Sequence, residues 1–141
     1  MSVSRIGDIA VSGLLAQRVR MTVTASNIAN AHTTRTAEGG PYRRRDPVFE
    51  AQPAGGSFAA GLDRELSVVT VPRVEVDPRP GSMRLDPGHP DADENGYVRM
   101  PNVDLVEEMT NLMQASRSFE ANLLSLRKAR EMSDAALRIG K

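Results

Sequence analysis

A chain of 141 residues has about the length of one domain, yet with no Trp, 3 Phe and 2 Tyr its core must come from Leu, Val, Ile, Met and Ala, and a large core is not expected. Formal charge is zero but unevenly laid out: residues 1–45 hold 7 basic and 2 acidic side chains, 46–104 hold 5 and 11, and 105–141 hold 6 and 5, a layout that packing between copies could use. The absence of cysteine excludes disulfides, thiol catalysis and thiolate metal sites, and no apolar run reaches the roughly 18 to 20 residues that span a bilayer, so no direct membrane insertion is expected.

The first element is a helix. From about Ser4 to Asn30, Ala10, Leu14, Met21, Ala25 and Ile28 fall 4, 7, 4 and 3 residues apart, which places them on one stripe. Val11 and Leu15 widen that stripe, and Gln17, Arg18, Arg20 and Asn27 take the opposite face, so the helix is one-sided and needs a partner. Asp8 interrupts the apolar patch between Ile6 and Arg18, which reads as mature protein rather than a cleaved signal.

The helix ends in "SNIANAHTT" and a Gly-Gly-Pro turn. A segment rich in Pro and Gly follows, with short β-like runs. "SVVTVPRVEV" (Ser67 to Val76) is β-branched and roughly alternating, and Pro72 within it predicts an edge strand or a bulge. "YVRM" (Tyr97 to Met100) follows Asn95-Gly96, a pair suited to a tight hairpin turn, while Ala51 to Leu62 reads as a flexible loop.

The last element is a longer helix from about Asp104 to Ile139. Leu105, Met109, Leu112, Ser116, Phe119, Leu123, Leu126, Arg130, Ser133 and Leu137 alternate steps of 4 and 3, a heptad seam with polar interruptions. Asp104 and Glu107 supply a capping box, with the aspartate oxygen accepting the Glu107 amide, and Pro101 separates this helix from what precedes it. The expected architecture is α+β: residues 1–35 as the N-terminal helix and its motif, 36–101 as a small β-rich module with flexible loops, and 102–141 as the C-terminal helix. The two helices would pair as a coiled-coil-like layer.

Chemistry is sparse. "DADENG" (Asp91 to Gly96) matches the opening of a calcium loop, but the position of its bidentate glutamate is Asn102 and its ninth position is Arg99, so no metal is expected. His32 and His89 have no second ligand or nucleophile at a recognisable spacing, Gly39-Gly40 and Gly55-Gly56 lack a phosphate-loop frame, and the consecutive Glu107 and Glu108 diverge on a helix. Arg43, Arg44 and Arg45 beside Tyr42 lack any nucleic-acid binding frame. Neither an enzyme nor a cofactor is expected.

"SNIANAHTT" (Ser26 to Thr34) resembles the signature of the flagellar axial proteins of the rod and hook, and "TTRTAEGGPYRRRDPVFE" (Thr33 to Glu50) is similar to the proximal-rod branch of that family. "DPGHPDADENGYVRMPNVDLVEEM" (Asp86 to Met109) and "ASRSFEAN" (Ala115 to Asn122) agree with it, so the resemblance covers nearly the whole chain. It implies paired terminal helices in a helical shaft with a β-rich part outside. It implies a structural subunit of the bacterial flagellar basal body, in a periplasmic drive shaft that transmits torque for motility. Export through the flagellar channel without signal cleavage is implied too, as are partners: other rod subunits, copies of itself, the adapter at the rod base and the membrane ring beneath.

The residues expected to carry assembly are Leu14, Met21, Ser26, Asn27, Ile28, Ala29, Asn30, Leu105, Met109, Leu112, Phe119, Leu123 and Leu126. Ile28 and Ala29 would finish the buried face, Ser26, Asn27 and Asn30 would offer side-chain hydrogen bonds, and Thr33, Thr34, Gly39, Gly40 and Pro41 would turn the chain outward. A coiled-coil adaptor or export chaperone of a secretion system is the rival that two helices alone would permit.

Overall fold

The structure, a computed structural model, describes residues 3–53 and 67–139. Its elements are α1 (Val3–Ala29), β1 (Arg45–Pro53), β2 (Ser67–Val76), β3 (Met83–Leu85), β4 (Tyr97–Arg99) and α2 (Leu105–Ile139), an α+β chain with its helices at the ends. Asp104 caps α2 as its sequence predicts: Oδ1 accepts the amides of Val106 at 2.8 Å and Glu107 at 3.2 Å. Asn30 closes α1, its Nδ2 donating to the Ser26 carbonyl at 2.9 Å while its Oδ1 accepts the Thr33 hydroxyl at 3.2 Å.

Among the described residues the strands form two sheets of two, β1 with β2 and β3 with β4. In sheets this small every strand is an edge, so Pro72 is accommodated within β2 without breaking a central ladder. β1 was not legible in the sequence, because Pro47, Pro53 and three charged side chains interrupt its pattern, and Ala51 to Pro53, expected in a loop, belong to it. The rest of that expected loop, 54–62, lies outside the described residues.

Asn95-Gly96 does not make a two-residue hairpin. Leu85 pairs with Tyr97, so the connection runs from 86 to 96, closed by the Asp86 amide on the Gly96 carbonyl at 2.9 Å. Only Gly96 of the pair has positive φ, +79°, and the Asp93 carboxylate organises the tip by accepting the amides of Asn95 at 2.9 Å and Tyr97 at 2.8 Å. The residues of the would-be calcium loop are thus engaged elsewhere: Asp91 accepts the Thr34 hydroxyl at 2.8 Å, and its neighbour His89 accepts the Asp91 amide at 3.1 Å.

The described residues form two compact units, one within Met1–Val19, Val48–Arg73 and Gln114–Lys141 and the other within Arg20–Pro47 and Val74–Met113. In the first, α1 and α2 run antiparallel: a Cβ on Gly7 would touch Leu126, and one on Gly13 would lie 2.8 Å from Asn122 Nδ2. Ser12 Oγ also accepts the Val69 amide at 3.1 Å, which attaches β2 to α1. In the second, Arg20 Nη2 donates to Asn111 Oδ1 at 3.3 Å and Asn27 Nδ2 to Glu108 Oε2 at 3.0 Å, again in antiparallel order.

These contacts correct the expected helix faces. Among the described residues, α1 buries Ala10, Ala16, Thr24 and Asn27, and α2 buries Glu108, Ala115 and Ala129. At 100° per residue, the centres of these stripes lie roughly a quarter turn from those of the apolar stripes that periodicity picks out, and Ala10 belongs to both. Asn27, placed by periodicity on the outer polar face, is buried, whereas Val11, Leu15, Ala25 and Ala29 are exposed. Side chains of α2 reach the glycines of α1, and polar pairs such as Asn27–Glu108 and Arg20–Asn111 satisfy one another between the helices, while several large apolar residues are left exposed.

Candidate functional site

The end of α1, the segment 42–46 that leads into β1 and the first turn of α2 meet within the second unit around a buried polar cluster. Asn27 is its hub. Its Nδ2 donates to the Arg45 carbonyl at 2.8 Å and to Glu108 Oε2 at 3.0 Å, while its Oδ1 accepts the Tyr42 hydroxyl at 2.9 Å and the Arg45 amide at 3.0 Å. All four bonding directions of the amide are therefore filled, as a buried side chain of this kind requires.

Glu108, only 1% exposed, is the cluster's buried charge. Its second oxygen accepts Arg44 Nε at 2.7 Å, a short charge-assisted bond, and Arg44 Nη1 also donates to Asp46 at 3.0 Å. Burial works against the Arg44 guanidinium, but the bonds to Glu108 and Asp46 more than offset it and hold its pKa above the ordinary value. The Arg44 backbone is fixed as well: its amide donates to Asn102 Oδ1 at 2.8 Å and its carbonyl accepts the Asp77 amide at 2.8 Å.

Around this centre the chain leaves the helix along a defined path. The Tyr42 amide donates to the Thr33 carbonyl at 2.9 Å, Gly39 and Gly40 supply positive φ values of +86° and +75°, and the Arg45 guanidinium lies 5.7 Å from the Tyr42 ring centroid. The cluster joins the end of α1, the segment 42–46 and the first turn of α2 through side-chain hydrogen bonds. It is a clamp, which sets the direction in which the polypeptide departs from α1 and ties that direction to α2.

Of the residues expected to carry assembly, the clamp takes Asn27 directly, with Ser26 Oγ at 3.5 Å from the Tyr42 hydroxyl and Asn30 at the helix end. Leu14, Met21, Ile28, Leu112, Phe119, Leu123 and Leu126 are half-buried; Leu105, Met109 and Ala29 are exposed. Sequence reasoning missed Tyr42, Arg44 and Glu108 as members of one site. The available signal was the spacing of Thr24, Asn27 and Ala31, 3 and 4 apart and all buried, a small-and-polar stripe running beside the apolar one.

Comparison with known proteins matches the same two regions. Residues 8–35 match the family model "Flagella basal body rod protein", and residues 94–139 match "Flagellar basal body rod FlgEFG protein C-terminal". The flagellar basal-body rod protein FlgC of Salmonella typhimurium is 42% identical over 141 residues, covering all of both chains. That of Borreliella burgdorferi is 41% identical, over 94% of this chain and 93% of the relative, and that of Bacillus subtilis is 39% identical, over 95% of each.

Proposed function

Because this chain belongs to the FlgC family of flagellar basal-body rod proteins, and so is a structural subunit of the flagellar basal body, we propose that it builds the proximal part of the rod through its two terminal helices. Full-length similarity to rod proteins is the observation that carries this reading, and it favours the rod over the adaptor or export chaperone that the helices alone would permit. The role is mechanical rather than catalytic: interlocked helices pass torque along the shaft to the filament.

The helix faces support this. Val11 and Leu15 on α1, and Val106, Met109 and Met113 on α2, are large apolar side chains left exposed within the chain, Leu15 at 58% and Met109 at 57%. Neighbouring rod subunits and further copies of this chain would cover them, with the half-buried Leu14, Met21, Leu112, Phe119, Leu123 and Leu126 at the rims of those contacts. The adapter at the rod base and the membrane ring would be met by the same layer.

Export without signal cleavage fits the packing of α1. The apolar patch between Ile6 and Arg18 lies within that helix, and Gly7 and Gly13 sit against Leu126 and Asn122 of α2, so removing the patch would strip α2 of its partner in the first unit. Among the described residues no helix is long and apolar enough to cross a membrane. Electron cryotomography of motors in cells lacking only this gene tests the proposal: basal rings without a rod, restored by the intact gene, are expected, and complete rods and hooks would overturn it.

A further inference from the structure

Beside the clamp, within the second unit, lies a pocket of about 100 Å³ lined by Arg43, Arg79 and Arg99 together with Tyr42, Pro78 and Pro80. Its walls are stiff. The prolines fix their own φ, and Gly81 presses so closely on the Met100 carbonyl that a Cβ there would overlap it. Asp77 neutralises one of the three guanidinium groups, accepting Arg79 Nη2 at 2.6 Å and Nε at 3.0 and 3.1 Å. Arg43 and Arg99 are exposed at the pocket's edge and have no carboxylate partner among the described residues, which leaves two unpaired cationic side chains along its lining.

We propose that this pocket receives a carboxylate from a second copy of the chain, supplied by Glu94. Arginine forks in a small concave site match a planar carboxylate. The chain itself is rich in the complement, since residues 46–104 hold 11 acidic and 5 basic side chains. Within the acidic hairpin tip, Asp91 is bound by Thr34 and lies 3.7 Å from Arg35, and Asp93 is held against the turn by two amides on its Oδ1. Glu94 is exposed and has no partner among the described residues, on a turn those same bonds hold in shape, so little freedom is lost when it docks. The inference rests on the rod reading, which places copies of this chain side by side.

Because the chain has no cysteine, single-cysteine variants can test the contact cleanly. Differently tagged Arg99→Cys and Glu94→Cys chains are expressed together in cells lacking the native gene, and purified basal bodies are treated with a short bis-maleimide; Arg43→Cys serves in place of Arg99→Cys if the latter fails to incorporate. The expected result is a cross-linked species carrying both tags, absent when Glu38→Cys replaces Glu94→Cys. In parallel, Glu94→Arg should lose swimming, and Arg99→Glu in the same chain should restore it. Basal bodies that contain both chains without the joint species, or a cross-link to a different protein, would overturn the inference and leave the rod assignment standing. Absence of the chain from basal bodies would overturn the rod assignment as well.

Discussion

The Glu108–Arg44 pair at the centre of the clamp can be weighed by a double-mutant cycle. Glu108→Leu removes the acceptor for Arg44 Nε and for Asn27 Nδ2 and leaves the guanidinium with Asp46 at 3.0 Å and Glu107 at 4.0 Å, whose side chains are 63% and 60% exposed. Breaking a buried ion pair from one side costs about 3–5 kcal/mol. The surviving contacts to Asp46 and Glu107 point to the lower end, about 3 kcal/mol, and loss of the Asn27 bond adds about 1 kcal/mol.

Arg44→Met should cost a similar amount, because it leaves a carboxylate at 1% exposure held only by Asn27. The double variant should recover most of the loss, since an apolar pair in the same space carries no desolvated charge. With a urea m value of about 2 kcal/mol per molar, each single variant should lower the unfolding midpoint of the full chain by roughly 2 M, followed by circular dichroism. Additive single costs, with coupling below about 0.5 kcal/mol, would refute the reading of these residues as one clamp.

Other expectations follow from the same geometry. The side-chain hydrogen bonds of Arg79 hold the Asp77 carboxyl at about 2 rather than the ordinary 3.8; its contribution is fully present above pH 3.8 and lost as pH falls towards 2. Stability of the native chain should therefore fall more steeply than that of Asp77→Asn across that interval, and parallel curves in acid titration of the unfolding midpoint would count against the pairing. Gly81→Ala forces a side chain onto the Met100 carbonyl and should cost about 2–3 kcal/mol, measured by the same urea unfolding. Met109→Asp, at an exposed position of α2, should leave helix content unchanged while abolishing incorporation into basal bodies; normal incorporation would remove Met109 from the assembly surface.

Local signals determined much of this protein. The 3-to-4 spacing of apolar residues marked both helices, Asp104 marked the start of the second, β-branched residues marked β2, and the SNIAN motif with its long continuation identified the family. Each of these depends on neighbours within a few residues, so each is written in the order of the chain. Tertiary structure decided which helix face is turned inward. Periodicity records where large apolar side chains lie, but between α1 and α2 side chains of one helix reach the glycines of the other and polar pairs satisfy one another, and Ala16, Thr24 and Asn27 are buried while Val11 and Leu15 are exposed. The same holds for the clamp: Asn27, Arg44 and Glu108 are 17 and 64 positions apart in the sequence, and only folding converts an asparagine in a motif, an arginine in a basic run and the second of two glutamates into one buried network.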